Sequence, residues 1–311
     1  MTVTGHTSVR RARPSECAKV LRVLFRRTDL SSLEVSRQVE AFASFAESQN
    51  LSLDLQWLIE RNGRARAACM LICSPGRCGT VLLSDAIEPA DRAEAASALA
   101  ELVTTAGRCR LRLVQALLEM DFAGTDLLAG AGFARVGELQ YMERPIGGPV
   151  RHRPDAGLEW VTYGRQRHAT FAQVIEASYE GSLDCPALTG VREIEEVIEA
   201  HKAAGVFEPN GWLLLMCEGQ PVGVLLLTSV IYRPALEIVY MGLIPQARGR
   251  GLAHVLVQRA IAEAQQRGVG ALMLAVDAGN TPARRVYTAN GFGTTTERQV
   301  WLHVLDRSRS T

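Results

Sequence analysis

The chain has 311 residues, 47% of them hydrophobic, with 34 basic and 33 acidic side chains and a formal net charge of +1. That length exceeds one ordinary core and suits about two domains. The composition excludes a disordered chain, and the balanced charge gives no general attraction to nucleic acid or an anionic membrane. No run approaches the roughly 20 apolar residues of a membrane span. Residues 1–13 lack the apolar stretch of a secretory signal. The seven cysteines are scattered, with no CxxC pair and no histidine at zinc-finger spacing. They read as reduced thiols of a cytoplasmic protein and offer no metal site.

In chain order, residues 9–12 read as a strand, and 15–26 and 33–48 as helices. Strands 53–60 and 64–72 flank Asn62-Gly63, a strong two-residue hairpin signal. A strand at 81–84, a helix at 92–106 and a strand at 111–115 follow. The segment from Pro145 to Pro154 is rich in Pro, Gly and Arg and reads as a linker. Beyond it the order repeats: strand 158–162, helices 168–178 and 192–203, then strands 212–217 and 222–231 around a turn at Glu218 to Pro221. A strand at 235–243 leads to an amphipathic helix at 251–267, marked by Leu252, Val255, Leu256, Ala260, Ile261 and Ala264. A strand at 272–276, a short helix at 282–289 and two closing strands from Phe292 complete the chain.

The two halves also share residues. Leu127 to Phe133 matches Val286 to Phe292, 159 residues on, and Pro89 matches Pro245, 156 residues on. A repeat of this length means tandem domains of one fold. The expected division is 1–146, a linker at 147–156, and 157–311.

The segment Gln246-Ala247-Arg248-Gly249-Arg250-Gly251-Leu252-Ala253 leaves an apolar strand and enters the amphipathic helix. A helix start carries unpaired N–H groups and a partial positive charge, which suit a pyrophosphate. Gly249 and Gly251 remove Cβ atoms from the approach, and Arg248 and Arg250 add charge beside it. The Rossmann pattern fails, because His254 stands where its last glycine would be, and no Gly-Lys-Ser/Thr of a phosphate-loop NTPase occurs. Taken alone, the segment is also compatible with a glycine-rich turn bearing solvated arginines.

With the stretch from Asn280 to Phe292 following at a suitable distance, Gln246-x-x-Gly249-x-Gly251 resembles the acyl-CoA motif of the GCN5-related N-acetyltransferase (GNAT) superfamily. The likeness covers nearly all of the second half and, more loosely, the first. It implies an α/β fold: two tandem GNAT-like domains, each with a mixed β-sheet flanked by helices. In the second, the sheet would splay between strands 235–243 and 272–276. The resemblance further implies that acetyl-CoA is the donor, with its pantetheine arm in that opening. Backbone groups of Met241 and Leu243 would pair with the arm. N–H groups from Arg248 to Ala253 would hold the pyrophosphate, and Asn280 would also touch the cofactor.

Acyl transfer to an amine needs a neutral attacking nitrogen, a donor for the developing oxyanion and a proton for the leaving thiolate. Tyr287 matches the family position that protonates the coenzyme A sulfur, and a phenol holds its proton at neutral pH. The competing reading is a tyrosine packed between helix and sheet. Glu237 interrupts an apolar strand, on one face with Val239 and Met241 by simple alternation. It matches a strand position where some family members carry a catalytic glutamate. A solvated glutamate, or one paired with Arg233, is the alternative. The acceptor loop of the fold maps to Tyr179 to Cys185, where Glu180 and Asp184 could receive a cationic amine or simply be solvated. His254, Asp277 and Trp212 read as structural. The expected activity is acetyl transfer to a primary amine, preferably on a small molecule. The alternatives are an acyl-CoA-binding sensor or a protein N-acetyltransferase.

The first half lacks this equipment. Alignment at Pro89 puts Ala93, Glu94 and Ala95 where Gly249, Arg250 and Gly251 stand. Alignment at Phe133 puts Asp121 at Asn280 and Leu128 at Tyr287. A carboxylate facing a phosphate at about 4 Å repels it by roughly 1 kcal/mol even in water. The first domain is therefore expected to be a degenerate copy without productive cofactor binding.

Overall fold

A computed structural model describes residues 7–27, 30–85, 87–147 and 157–305. The chain divides into two compact units, Met1–Val136 with Gln299–Thr311, and Gly137–Arg298. Most of the expected linker, residues 148–156, lies outside the described residues.

The two halves of the chain run through the same ten elements. The first has β1 (Thr7–Arg11), α1 (Cys17–Leu24), α2 (Ser32–Ser48), β2 (Gln56–Arg61), β3 (Arg64–Ser74), β4 (Cys78–Leu83), α3 (Arg92–Arg108), β5 (Leu113–Leu118), α4 (Thr125–Gly130) and β6 (Ala134–Pro145). The second has β7 (Leu158–Thr162), α5 (His168–Tyr179), α6 (Ile194–Lys202), β8 (Trp212–Cys217), β9 (Gln220–Ser229), β10 (Ala235–Leu243), α7 (Leu252–Gln266), β11 (Ala271–Asp277), α8 (Thr281–Ala289) and β12 (Gly293–Val304). Local chemistry explains the turns: Asn62 and Gly63 have φ of 52° and 73°, and Glu218 and Gly219 have 52° and 74°, as tight hairpins require. The repeat is visible in detail at the end of α4 and α8. Phe133 N–H bonds Leu128 C=O at 3.0 Å, and Phe292 N–H bonds Tyr287 C=O at 3.1 Å, the same helix-ending bond. Leu128 and Tyr287 are therefore structural equivalents.

Each sheet is completed by a strand from the other half of the chain. In the first unit, β1 to β5 lie in order, and residues 299–304 of β12 pair antiparallel with β5, with Val304 opposite Leu113 and Gln299 opposite Leu118. In the second, β7 to β11 lie in order, and residues 139–145 of β6 pair antiparallel with β11, with Pro145 opposite Ala271. The expected division gave residues 137–146 to the first half and 299–311 to the second. The units instead exchange these segments. The two closing strands expected after Phe292 are one long strand, and residues 134–145, not read as a strand from the sequence, form β6.

Each unit has a core on both faces of its sheet. In the second, α5 and α6 cover Trp212, Leu214, Val224, Leu226 and Tyr240, and α7 and α8 cover Leu213, Leu225, Leu227, Leu236 and Ile238. Trp212 is a core residue, as its sequence context predicts.

The exchanged strand is a structural member of the first unit. Leu302 is 4% exposed beside β5, so Leu302→Ala should cost about 2–4 kcal/mol by transfer and cavity terms. Urea denaturation measures this; a loss under about 1 kcal/mol would contradict the exchange.

Candidate active site

In the second unit, β10 and β11 run parallel and stay paired only from Ala235 opposite Ala271 to Ile238 opposite Leu274. Beyond that point they part. The register of β10 against β9 shifts in the same place, between Ile238 and Tyr240, leaving Val239 as the extra residue. A bulge of this kind bends the strand and reverses the alternation of side chains after it. A cavity of about 460 Å³ lies in the resulting opening, lined by Ile238 to Leu243, Ala275, Val276, the mouth of α7, α8 and the loop after α5.

The bulge corrects one expectation. By simple alternation Glu237 shares a face with Val239 and Met241. In the structure Leu236, Ile238, Met241 and Leu243 pack toward α7 and α8, while Tyr240 and Val239 pack toward α5 and α6. Glu237 stands opposite Thr228, on the side of Tyr240. It is not part of the cavity wall. Arg233, a possible partner, is taken by Glu143 at 2.6 Å. Glu237 makes no hydrogen bond among the described residues, and burial raises its carboxyl above the ordinary value.

The wall nearest α7 is backbone. Ile244 N–H bonds Val222 C=O at 3.1 Å. Because the sides of a strand alternate in hydrogen bonding, Met241 and Leu243 turn their backbone groups to the edge that β11 has left. Leu243 C=O is already used by Arg248 Nε at 3.1 Å. Gly242 is the close-approach point: a Cβ there would meet Ser178 Oγ at 2.5 Å and the Tyr240 hydroxyl at 2.9 Å. That hydroxyl and Ser178 Oγ share a buried hydrogen bond of 2.7 Å.

At the mouth of α7, Arg248 N–H bonds Pro245 C=O and His254 N–H bonds Gly251 C=O. The N–H groups of residues 249–253 have no acceptor among the described residues. Gly249 and Gly251 have φ of 73° and 78°, a region costly for any residue with a Cβ, and the space where their Cβ atoms would stand is open. The glycines thus both shape the turn and keep it unobstructed. Leu252 and Ala253 open the helix on the cavity wall, whereas Gln246 is exposed and off the wall.

The arginines do something other than expected. Arg248 spends its guanidinium on the carbonyls of Leu243 and Ser178, the latter at 2.8 Å, so it ties the turn to β10 and α5. Arg250 is exposed, 3.9 Å from Cys217 Sγ. Asn280 lines the cavity and also caps α8, its side-chain oxygen accepting Ala283 N–H at 3.3 Å.

Tyr287, on α8, is 7% exposed and reaches the cavity wall. Its hydroxyl makes no hydrogen bond among the described residues. Burial, with smaller contributions from Asp184 and Tyr240, pushes its phenol above the ordinary value. Asp184 also lines the cavity, but Glu180 does not. Asp184 Oδ1 accepts Asp277 N–H at 3.3 Å, and Asp277 Oδ2 accepts Cys185 N–H at 3.2 Å. This reciprocal pair clamps the loop after α5 onto the end of β11, and Asp277 further closes its own turn through Gly279 N–H at 2.7 Å. His254 also faces the cavity and is held by Asn290 at 3.0 Å.

The sequence reading missed Ser178, Tyr240 and His201. The imidazole of His201 stacks on Tyr240 with ring centroids 5.3 Å apart, and burial lowers its pKa to about 4, so it is neutral at pH 7 and acts as packing. The only sequence signal for this cluster was Tyr240, the single aromatic side chain of β10.

The first unit shows what loss of the glycines does. Arg92 and Arg248 each follow a short 3-10 turn that begins at the aligned prolines. Arg248 has ψ of 159° and leads into the open turn. Arg92 has ψ of −35° and enters α3 at once. Relative to its proline, α3 starts four residues, about one turn, earlier than α7. The buried Asp91 at that point is held by Arg61 Nε at 2.8 Å. The first unit thus has no open turn corresponding to residues 249–251. Calorimetric titration with acetyl-CoA should accordingly give one site per chain; two equivalent sites would contradict this reading.

Gly249→Glu should keep its fold at a cost of about 1–2 kcal/mol for the left-handed backbone, while the new carboxylate fills the open space at the turn. Coenzyme A affinity should fall at least tenfold by calorimetry, and unchanged affinity would contradict the assignment of the turn.

Comparison with known proteins agrees with this geometry. Residues 181–292 match the acetyltransferase (GNAT) family model. A mycothiol acetyltransferase of Thermomonospora curvata is 33% identical over 176 residues, 55% of this chain and 57% of that protein. One of Paenarthrobacter aurescens is 40% identical over 101 residues, 30% of this chain and 31% of that protein. The chain thus matches between about a third and little more than half of the length of these curated relatives. The crystal structure of a GCN5-related N-acetyltransferase from Sphaerobacter thermophilus matches with a TM-score of 0.62 at 18% identity, covering 96% of this chain and 95% of that one. A tandem GNAT protein from the clavulanic acid biosynthesis pathway matches with a TM-score of 0.52 at 15% identity, covering 97% and 100%. These structural likenesses bear on the fold, which is that of tandem GNAT proteins. The second unit of this chain carries, over residues 181–292, a domain of the GNAT acetyltransferase family.

Proposed function

We propose that the second unit binds acetyl-CoA and transfers its acetyl group to a primary amine in a ternary complex. The observation that carries this reading is the continuity of one cavity from the unobstructed amides of α7 to Tyr287. Amides of residues 249–253 receive the pyrophosphate. The free edge of β10 at Met241 and Leu243 pairs with the pantetheine arm as an added strand would, and a backbone N–H there faces the developing oxyanion. Asn280 borders the cofactor.

Proton handling follows from burial. Tyr287 remains a phenol at neutral pH and protonates the departing thiolate. Glu237 lies on the opposite side of β10, with Tyr240, because of the bulge. It acts as base through an intervening water, with burial moving its carboxyl toward a useful pKa. Donor and acceptor thus approach from the two faces that the bulge separates. Cys185 beside Asp184 is pushed up to about 12 by burial, and a protonated thiol is a poor nucleophile, which favours direct attack over an acetyl-enzyme. A small-molecule acceptor is favoured by the relatives named for mycothiol acetylation.

Coenzyme A release with a panel of amines tests the activity. Tyr287→Phe should lower kcat by about 10²–10⁴-fold with acetyl-CoA affinity kept within about twofold. Equal turnover by the variant would remove the acid role.

Glu237 gives a pH dependence. Its carboxylate form acts as base, so kcat/KM should fall as pH drops through an apparent pKa above the ordinary value near 4.3. Glu237→Gln should lose this acid limb; its persistence would contradict the assignment.

A further inference from the structure

We infer that Tyr141, carried into the second unit on the exchanged strand β6, binds the acceptor beside Glu237, so that this unit favours amines with a hydroxyl or amide group next to the reacting nitrogen. This rests on the acetyltransferase reading above. It keeps the acceptor on the Glu237 face of β10 and adds the chemistry that selects it.

The register puts the two side chains on one face. Glu237 stands opposite Met273, and Met273 opposite Glu143, and residues directly opposite share a face. Two residues along, on that same face, Tyr141 stands opposite Ala275. The methyl of Ala275 leaves the phenol room across β11 toward Glu237. The two groups interact: burial is the first cause that raises the Tyr141 phenol, Arg298 opposes it, and Glu237 and Tyr232 add to it. Ala275 also lines the cofactor cavity, whose wall includes neither Tyr141 nor Glu237. An amine held by these two side chains therefore stands next to the cofactor's space without entering it.

Both groups lack a partner. Tyr141 is half-buried. Its backbone C=O accepts the Thr295 hydroxyl at 3.1 Å, but its own hydroxyl makes no hydrogen bond among the described residues, and neither does the Glu237 carboxylate. The cations nearby are engaged elsewhere. Arg233 binds Glu143 at 2.6 Å and lies against Met273 Sδ. Arg298 donates to the Thr296 hydroxyl and Glu297 C=O, each at 3.1 Å. A hydroxyl and a carboxylate left unpaired side by side are two anchor points for one small polar ligand. Tyr232, 69% exposed and near Tyr141, adds an aromatic edge.

The first unit supplies the contrast. Thr80 stands opposite Ile72 and Gln115, as Glu237 stands opposite Thr228 and Met273. Leu117 and Val300 face each other there where Ala275 and Tyr141 do in the second. Leucine fills the gap, the phenol is gone, and Thr80 Oγ1 is satisfied by Gln115 Nε2 at 3.3 Å. All three positions differ in the unit that lacks the open turn.

The acceptor's nitrogen faces Glu237, and a hydroxyl or amide on the neighbouring carbon meets the Tyr141 hydroxyl, which can donate or accept. A plain alkylamine leaves that hydroxyl unpaired and is disfavoured for it. No bond changes at Tyr141.

The test uses the full chain at saturating acetyl-CoA with two shape-matched pairs of acceptors, 2-aminoethanol with propylamine and glucosamine with cyclohexylamine, coenzyme A release being read as thiol. The unaltered protein should favour the hydroxylated member of a pair by kcat/KM. Tyr141→Phe keeps the ring and removes only the hydroxyl. It should lower that preference about 3- to 10-fold, the scale of one neutral hydrogen bond, through a higher KM for the hydroxylated amine and with the acid limb of Glu237 retained. Where only the hydroxylated member reacts, the same rise in its KM is the readout. Acetyl-CoA affinity by calorimetry should stay within about twofold, since Tyr141 is off the cofactor cavity. A preference for the plain amines, a preference unchanged in Tyr141→Phe, or an equal loss for both members of a pair would overturn the role of Tyr141 and leave the acetyltransferase reading standing. Absence of turnover by the unaltered protein on every amine would overturn both.

Discussion

Much of the second unit follows from one interrupted pairing. Parallel strands β10 and β11 hydrogen-bond over four residue pairs and then separate, with a bulge at Val239 at the same point. Buried backbone N–H and C=O groups need partners, so a strand edge left open inside a fold asks for an occupant. The free edge at Met241 and Leu243 is such a place, and an extended chain of amides such as a pantetheine arm is a chemically matched occupant. The bulge has a second consequence. It turns Met241 and Leu243 to one face of the sheet and leaves Glu237 and Tyr240 on the other, so one strand can serve two reactants from opposite sides.

The turn into α7 completes the arrangement, and the first unit shows how little separates a working turn from a filled one. Both follow a proline and a 3-10 turn. With glycine at 249 and 251 the backbone can visit positive φ, swing away and present a row of unpaired amides. With Ala93 and Ala95 the chain keeps to helical angles, and α3 starts about one turn early on a buried, ion-paired Asp91. The change is primarily conformational. The charge of Glu94, which drew attention in the sequence, is secondary to the absence of any turn for it to disturb. At the other end of the site Leu128 in place of Tyr287 leaves a sound core and no proton donor.

Much of this was legible in the sequence, and the exceptions have physical reasons. The hairpins were readable because Asn-Gly and Glu-Gly turns have local backbone demands. The turn at Gly249 and Gly251 and the helix end at Tyr287 and Phe292 were readable because short-range spacing encodes them. The exchange of β6 and β12 was not, since partner choice between distant strands depends on tertiary register and leaves no local mark. The bulge at Val239 was hidden because nothing in Glu-Ile-Val-Tyr-Met breaks a period of two, and Met241, expected on one face with Glu237 and Val239, stands on the other in consequence. Arg248 was read as a phosphate ligand from its charge, whereas its carbonyl partners on β10 and α5 come together only in three dimensions. The clamp between Asp184 and Asp277 likewise joins residues 93 apart.

Amide hydrogen exchange on the full chain, with and without saturating acetyl-CoA, tests the central claim most directly. The account requires strong protection to appear at residues 249–253 and at Met241 and Leu243 when the cofactor is added, with no comparable change at the start of α3. Exchange at those positions that is the same with and without acetyl-CoA would contradict it.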